Sequence, residues 1–260
     1  MITSASNQQM KNITALLKKS KERKRQGLFV VEGPKMCFEA PEGWLESIYV
    51  SESFINDEEN KARLMKHTMD YEIVADNVLK AVSDTMTPQG IIATVRIPSY
   101  SLSDIIKDAN SSILLLESIQ DPGNLGTMFR TGEGAGISGV VMNKSTVDLF
   151  NPKTIRSTMG SIYRMPFVVV DDMKSAVETI KDTGISLYAA HLKGTKSYDE
   201  PDYKKGCGFM IGNEGKGLSD ELADMADEYI RIPMEGQVES LNAAIAATIL
   251  MYEANRQRRK

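Results

Sequence analysis

Short apolar runs alternate with amphipathic stretches along most of the 260-residue chain. In the first part, a helical pattern over residues 7–25 precedes four predicted strands, within GLFVVEG, SIYVS, YEIVA and GIIATVRI, and further helical patterns near residues 58–69 and 77–82 lie between these strands. In the second part, helical stretches separate further predicted strands, within SILLLE, GVVM, FVVV, ISLYAAH, GCGFMIG and EYIRIP. Such alternation predicts a mostly parallel sheet covered by helices, and periodicity by itself indicates an ordinary doubly wound sheet.

A polar, turn-rich stretch that begins with IPSYSLSD interrupts the alternation and predicts a linker at residues 98–109. We therefore predict two α/β domains. The first is a small domain at residues 1–97, and the second is a larger domain at residues 110–260.

Composition narrows the class of protein. The chain is 42% apolar and 25% charged, which is typical of a globular protein, and no apolar run approaches the roughly 18 residues that span a bilayer. The N-terminus has no apolar signal-peptide core, so we expect a cytoplasmic protein without a membrane partner. Cys37 and Cys207 are far apart and are expected to be packed thiols. His67 and His191 are too few for a metal cluster, and we expect both to be structural or surface residues.

The net charge of −4 conceals a basic N-terminus, where KKSKERKR at residues 18–25 has six basic residues in eight. Such a run is compatible with a solvated helix face and with a phosphate-binding patch. The candidate phosphate ligands are Lys11, Lys18, Lys19, Lys21, Arg23, Lys24 and Arg25. A second basic cluster lies at the C-terminus and contains Arg256, Arg258 and Arg259.

The stretch GAGISG at residues 134–139 spells the dinucleotide-binding pattern G-x-G-x-x-G. That pattern needs a strand before it and a helix after it, so that the helix N-terminus faces the pyrophosphate. Here a helical stretch comes first and a strand follows. We therefore predict a helix C-cap and a turn into GVVM, and not a nicotinamide or flavin site.

Three loops that follow predicted strands carry polar residues. After SILLLE, Asn124 is a candidate N-cap, and Arg130 points away from the apolar stripe of the helix that follows. After GFMI, Glu214 lies in the glycine-rich loop GNEGKGL; after EYIRI, Ser240 is the candidate N-cap of the last helix and Asn242 lies in its first turn. A surface arginine, a flexible turn and simple capping are the alternatives. Because ligands collect at the carboxyl ends of parallel strands, we expect a site here.

Together these stretches resemble the three motifs of the SpoU/TrmH family of RNA ribose methyltransferases. The matching segments are NLGTMFR, MIGNEGKGL and IRIPMEGQVESLNAAIA, although Ala243 stands where the family often has valine. The N-terminal segment, with FVVEG, resembles the RNA-binding domain of the ribosomal RNA members. The resemblance covers nearly the whole chain, and three motifs in the same order as in the family are a specific indication of it.

The resemblance implies a C-terminal α/β trefoil-knot domain that pairs as a homodimer and binds S-adenosylmethionine without a metal. Knots are rare exceptions to the connection rules. The implied cofactor-binding residues are Gly212, Ile232 and Leu241 through their backbone, with Asn213, Gly217 and Met234 as neighbours. We attribute the glycines to close approach of the cofactor, which side chains would block.

The implied reaction moves a methyl group to a ribose 2′-hydroxyl, and Arg130 is the implied central residue. A guanidinium keeps its proton in proteins, so we expect Arg130 to hold a phosphate and polarise the 2′-oxygen rather than act as a base. Asn124 should position Arg130 or the ribose. Glu214, Ser240 and Asn242 should orient the site by hydrogen bonds.

The separate N-terminal domain favours large-subunit ribosomal RNA as the substrate. The alternatives are transfer RNA 2′-O-methylation, an RNA-binding protein without catalysis, and base methylation. In the third motif, SLN at residues 240–242 follows IPM at residues 232–234, and this pattern favours methylation of a ribose over methylation of a base.

Overall fold

A computed structural model describes residues 1–68 and 70–259 of the protein. Its helices are α1 (Gln8–Lys18), α2 (Ser20–Gln26), α3 (Pro34–Phe38), α4 (Glu52–Asn56), α5 (Glu58–His67), α6 (Asp76–Val82), α7 (Leu102–Ile105), α8 (Pro122–Ala135), α9 (Pro152–Thr158), α10 (Met173–Asp182), α11 (Asp220–Ala223) and α12 (Ala243–Arg258). Its strands are β1 (Leu28–Glu32), β2 (Leu45–Ser51), β3 (Glu72–Val74), β4 (Ile91–Arg96), β5 (Ser112–Leu116), β6 (Gly139–Asn143), β7 (Phe167–Val170), β8 (Ser186–Ala190), β9 (Lys196–Ser197), β10 (Cys207–Ile211) and β11 (Glu228–Arg231). The predicted alternation is confirmed. The end predicted for α5, Met69, lies outside the described residues.

The described chain divides into two compact units. The first contains Met1–Pro98 and Phe150–Tyr163, and the second contains Ser99–Leu149 and the chain from Arg164 onward. Within the first unit, the Phe150 ring lies 4.8 Å from the Phe29 ring, and the Tyr163 hydroxyl donates to the Met36 carbonyl at 2.8 Å. A segment from the middle of the sequence thus completes the core of the N-terminal unit. The predicted division into two domains, with a linker at residues 98–109, stays a prediction. That division places Phe150–Tyr163 in the second domain, whereas this segment belongs to the first compact unit.

The first unit is built on a sheet in the order β1-β4-β2-β3, with β4 antiparallel to both of its neighbours and β2 parallel to β3. The stripe predicted for α1 is buried: Ile13, Leu16 and Leu17 pack over the sheet with Met10 and Val30. Burial of this stripe removes apolar surface from water and holds the helix against the sheet.

The single helix predicted over residues 7–25 is wrong, because the chain is extended at Lys19 and divides the stretch into α1 and α2. Arg23, on α2, lies only 3% exposed, and its guanidinium donates to the carbonyls of Leu16 and Leu17 at 2.5 and 3.1 Å. These carbonyls lie at the end of α1 and have no partner in the helix, so Arg23 caps α1 from the next helix.

Arg23→Ala is expected to lower the free energy of unfolding by about 2–3 kcal/mol, because it removes charge-assisted bonds and leaves buried carbonyls unsatisfied. Urea denaturation measures the loss. Lys24→Ala, one position along at an exposed site, is the matched control and should change stability by about 0.5 kcal/mol or less. Equal losses in the two variants would contradict the capping role.

The second unit is built on a fully parallel sheet in the order β7-β6-β5-β10-β8-β11-β9. The central strands β5 and β10 are buried at every position, as strands covered on both faces are. If the two-residue β9 is left out and the strands of this unit are numbered from β5 along the chain, their order across the sheet is 3-2-1-5-4-6. A Rossmann-type sheet has the fourth strand before the fifth.

The ordinary doubly wound sheet that periodicity indicates is therefore wrong, since β10 lies between β5 and β8. The departure falls in the C-terminal part of the chain, where the family resemblance implies the knot.

The helix C-cap and the turn into a strand predicted for GAGISG are confirmed. Gly136 adopts a left-handed conformation (φ 81°) as the C-cap of α8, and its N–H donates to the carbonyls of Gly132 and Glu133. β6 begins at Gly139. No helix in the described ranges is long and apolar enough to span a bilayer.

Candidate active site

The carboxyl ends of β8, β10 and β11 surround a cavity of about 270 Å³, to which the start of α12 also contributes. This is the end of a parallel sheet where ligands bind. All six residues predicted to bind the cofactor line this cavity: Gly212, Asn213, Gly217, Ile232, Met234 and Leu241. Their role in binding stays a prediction.

The glycine-rich loop at residues 212–218 folds tightly on itself, since Asn213 and Gly217 exchange backbone hydrogen bonds of 3.0 and 2.8 Å. A Cβ atom on Gly212 would lie 2.0 Å from the Leu218 nitrogen and 2.1 Å from the Gly217 carbonyl carbon. Gly217 has a positive φ of 72°. The loop's own backbone therefore requires both glycines. Close approach of a cofactor to them stays a prediction.

Glu214 is the centre of a hydrogen-bond network that joins all three motifs. Its carboxylate accepts from the backbone N–H groups of Gln120 and Asp121 and from the Asn124 side-chain amide, each at 3.0 Å. The Asn124 side-chain oxygen, Oδ1, in turn accepts from the Asn242 side-chain amide at 2.9 Å. The network thus connects the loop after β10 to the starts of α8 and α12.

Two predicted helix caps are wrong by a few residues. Asp121, not Asn124, is the N-cap of α8, and its side chain accepts from the Asn124 N–H at 2.8 Å. Asn242, not Ser240, is the N-cap of α12, and its side chain accepts from the N–H groups of Ala244 and Ile245. Because Asp121 caps α8, the Asn124 side chain is available to other partners, and Asn242, which caps α12 with its Oδ1, donates to Asn124 with its amide nitrogen.

The pKa of the Glu214 carboxyl lies below its ordinary value. Burial by itself would raise it, but the hydrogen bonds from Gln120, Asn124 and Asp121 to the ionised form together outweigh that effect. The carboxylate is therefore ionised at neutral pH. Its contribution to stability is present above the ordinary pKa of a glutamate and is lost as pH falls through the lower folded-state pKa.

Glu214→Gln is expected to destabilise the protein at pH 7 by about 1 kcal/mol, the low end for bonds to a charged group, since Glu214 is exposed to solvent. The difference from wild type should shrink in acid, as pH falls through the lowered folded-state pKa at which the wild-type carboxylate gains its proton. Denaturant unfolding at pH 7 and across the acid range measures this. A difference that is independent of pH would rule out the ionised network.

The other two candidate catalytic residues lie outside this network. Arg130 is exposed on α8, as predicted, and within the described residues its side chain has no hydrogen bond or ion pair. It follows Asn124 by six residues, which is about 9 Å along the helix axis. Ser240 is exposed in the cavity wall. The structure thus brings together Asn124, Glu214 and Asn242, and does not bond Arg130 to them.

Sequence reasoning missed several groups at the site. The backbone N–H groups of Gln120 and Asp121 that bind Glu214 cannot be recognised from the side chains of these residues. The Asp121 cap could have been predicted, because Asp followed by Pro is a common helix start. His191, expected to be structural or on the surface, lines the cavity, and its Nδ1 accepts from the Lys193 N–H at 3.1 Å. Lys216, in the glycine-rich loop, also lines the cavity.

Comparison with protein families decides the identity of the second unit. The sequence model of the SpoU rRNA Methylase family matches residues 111–252, more than half of the chain. The chain belongs to this family. The model of the MRM3-like substrate binding domain matches residues 7–93.

Relatives of this SpoU methylase align over nearly its whole length. The 23S rRNA (guanosine(2553)-2′-O)-methyltransferase RlmP of Bacillus subtilis is 36% identical over 252 residues, which are 96% of this chain and 97% of that protein. The AdoMet-bound rRNA methyltransferase of Sinorhizobium meliloti is 32% identical, with a TM-score of 0.87 over 98% of this chain and 97% of its own. AviRb of Streptomyces viridochromogenes, in complex with AdoMet, is 28% identical, with a TM-score of 0.87 over 97% of this chain and 99% of its own.

The basic residues of this SpoU methylase divide into exposed and structural groups. Arg23 is buried as the cap of α1, so its prediction as a phosphate ligand is wrong. Arg258 donates to the backbone carbonyls of Tyr203, Lys205 and Asn110, and Arg256 pairs with Glu253. Arg259 is exposed. The remaining N-terminal residues are exposed and form what we call the basic patch: Lys11, Lys18, Lys19, Lys21, Lys24 and Arg25.

Acidic, histidine and cysteine side chains do not assemble into a metal site in the described part of this SpoU methylase. Cys37 and Cys207 are both buried free thiols. Burial raises the pKa of each thiol, so neither is a reactive thiolate at neutral pH.

Proposed function

We propose that this SpoU methylase transfers a methyl group from S-adenosylmethionine to a ribose 2′-hydroxyl of large-subunit ribosomal RNA. The observation that carries the proposal is the cavity at the strand ends, whose glycine-rich loop is joined through Glu214 to the Asn124 and Asn242 amides. A Bacillus subtilis relative that acts on 23S rRNA aligns along both units. The match to a substrate-binding domain at residues 7–93 favours ribosomal over transfer RNA.

The cavity suits S-adenosylmethionine. Its volume of about 270 Å³ is near the lower end for ligand pockets, and Ile232 and Leu241 give it an apolar wall. The backbone of Gly212, Ile232 and Leu241 would hold the cofactor, with Asn213, Gly217 and Met234 beside it. When bound, S-adenosylmethionine supplies an electrophilic methyl carbon.

The protein's own groups would orient the ribose and stabilise developing charge. Ionised Glu214 fixes the Asn124 amide, which fixes Asn242, so these side chains stay in place before RNA arrives. Arg130, unpaired among the described residues, is free to bind an RNA phosphate and polarise the 2′-oxygen, and its proton stays on the guanidinium. Ser240 would donate to the substrate from the cavity wall.

The proposed organisation assigns RNA binding to residues 1–97 and the reaction to residues 110–260, with residues 98–109 as linker. Two copies would pair through the second unit in the cytoplasm. The outward face of α12 supports pairing, since Ile245 and Tyr252, two turns apart, are 50% and 43% exposed. A monomer by light scattering would exclude this arrangement.

The basic patch is proposed to bind RNA phosphates. Replacing Lys18, Lys21 and Lys24 with alanine should weaken RNA binding and reduce the slope of log K against log salt by about 2, since each phosphate contact releases counterions. Replacing the exposed Lys66, Lys204 and Lys205 instead is the charge-matched control and should leave the slope unchanged. Equal slopes for the two triple variants would make the patch a solvated face.

The reaction is tested with methyl-labelled S-adenosylmethionine and RNA from cells that lack the protein. Alkali does not cut beside a 2′-O-methyl group, so label in an alkali-resistant dinucleotide from large-subunit RNA is the expected result. Label in transfer RNA would move the substrate to the alternative class, and label in alkali-sensitive nucleotides would indicate base methylation. No transfer to free RNA or to assembling ribosomal particles would favour an RNA-binding protein without catalysis.

A further inference from the structure

The loop that leaves β5 contains a non-glycine residue in the left-handed region. Ser118 has φ 59°, a conformation that few residues other than glycine adopt without support. Backbone conformations of this kind persist where neighbouring contacts hold them, and they are frequent at functional sites. In the described chain the only other such residue is Met159, in the first unit.

Asn143, at the end of the neighbouring strand β6, holds Ser118 on two sides. Its Oδ1 accepts from the Ser118 N–H at 2.9 Å, and its amide donates to the Ser118 hydroxyl at 3.0 Å. The Thr146 hydroxyl donates to the same Oδ1 at 3.0 Å and so fixes the orientation of the amide. Asn143 is half-buried and lies outside the three family motifs.

Ser118 connects this amide to the glycine-rich loop. Its carbonyl accepts from the Asn213 side chain at 2.9 Å and from the Gln120 side chain at 3.0 Å. The Gln120 amide also donates to the Ser145 carbonyl at 2.7 Å. Two residues beyond Ser118, the backbone N–H groups of Gln120 and Asp121 donate to Glu214. The direction of these donors depends on the backbone conformation at Ser118.

We propose that Asn143 is a positioning residue: it holds Ser118 in the left-handed conformation, and so aims the backbone donors that fix Glu214 and the glycine-rich loop. Its effect on methyl transfer rests on the proposed function, whereas its effect on the loop does not. Glycine adopts φ 59° without help, so Ser118→Gly should make Asn143 dispensable.

The test compares Asn143→Ala with the double variant Asn143→Ala/Ser118→Gly. In Asn143→Ala, amide exchange at Gln120 and Asp121 should accelerate about tenfold in the free protein, and methyl transfer at saturating RNA should slow by roughly 10- to 100-fold. The double variant should return both quantities to within about threefold of wild type, because glycine needs no amide support.

Asn12→Ala is the matched control. Asn12 is also half-buried and exchanges two hydrogen bonds with Gln26, but it lies in the first unit. It should leave exchange at Gln120 and Asp121 unchanged. Unchanged exchange in Asn143→Ala, or a double variant that stays impaired or does not fold, would overturn the proposal. Absence of methyl transfer by wild type would contradict the proposed function instead, and the exchange measurement would still decide the role of Asn143.

Discussion

Replacing Arg130 with alanine is expected to slow methyl transfer by roughly 10²- to 10³-fold, the range found when one charge-stabilising donor is removed from an active site. Arg130 is exposed on α8, and no described residue bonds to its side chain, so it contributes little to the fold. S-adenosylhomocysteine affinity should therefore stay within about twofold of wild type, since Arg130 does not line the cavity. Single-turnover transfer to large-subunit RNA and calorimetric titration measure the two effects.

Two further substitutions sharpen this expectation. Arg130→Lys keeps the charge but loses the planar fork that binds a phosphate through two bonds, so most of the loss should remain. Arg164→Ala is the control, because Arg164 forms a partly exposed ion pair with Glu133 in the same unit. Near-normal transfer by Arg130→Lys would argue against two-bond phosphate recognition, and a normal rate for Arg130→Ala would remove Arg130 from the mechanism.

Gly212→Ala is expected to weaken S-adenosylhomocysteine binding by at least about 100-fold. A Cβ atom at this position would overlap the backbone of Gly217 and Leu218, at 2.1 and 2.0 Å, and backbone cannot move aside as a side-chain end can. The loop must open, which also separates Asn213 from Gly217 and displaces Glu214. Overpacking of this kind costs about 1–3 kcal/mol or more, so the melting temperature should also fall.

Gly215→Ala is the matched control in the same loop. Its Cβ would have only the Asn213 Oδ1 within reach, at 3.6 Å, which is ordinary contact. Binding should stay within about threefold of wild type. If Gly212→Ala bound S-adenosylhomocysteine as tightly as Gly215→Ala, the cofactor would not depend on the closed form of this loop.

The sequence predicts which strand-end loops come together, but not the helix caps that support them. The alternation of apolar strands and polar strand-end loops was sufficient to place Asn124, Glu214 and Asn242 at one edge of a sheet. It assigned the caps of α8 and α12 to Asn124 and Ser240, because any Ser, Asn or Asp near a helix start is a candidate cap. The observed caps, Asp121 and Asn242, follow from the backbone path, and an error of two or three residues changes which amides can bond to each other.

The basic N-terminus illustrates a different limit. Composition marked seven basic residues as equivalent, but the break at Lys19 turns α2 so that Arg23 reaches the end of α1 and becomes buried. No charge pattern separates Arg23 from Lys24, because both lie in one run of basic residues. Only the folded backbone shows which of these side chains faces carbonyl oxygens and which faces water.

The sequence by itself determined every strand except β9, the turn at Gly136 and the three loops at the strand ends, because period and glycine conformation act over a few neighbouring residues. The tertiary structure decided the place of β10 between β5 and β8, the packing of Phe150–Tyr163 in the first unit and the bonds that join the site. Asn124 bonds to groups 90 and 118 residues away, in Glu214 and Asn242. Contacts at such separation depend on how the whole chain folds, and no local pattern specifies them.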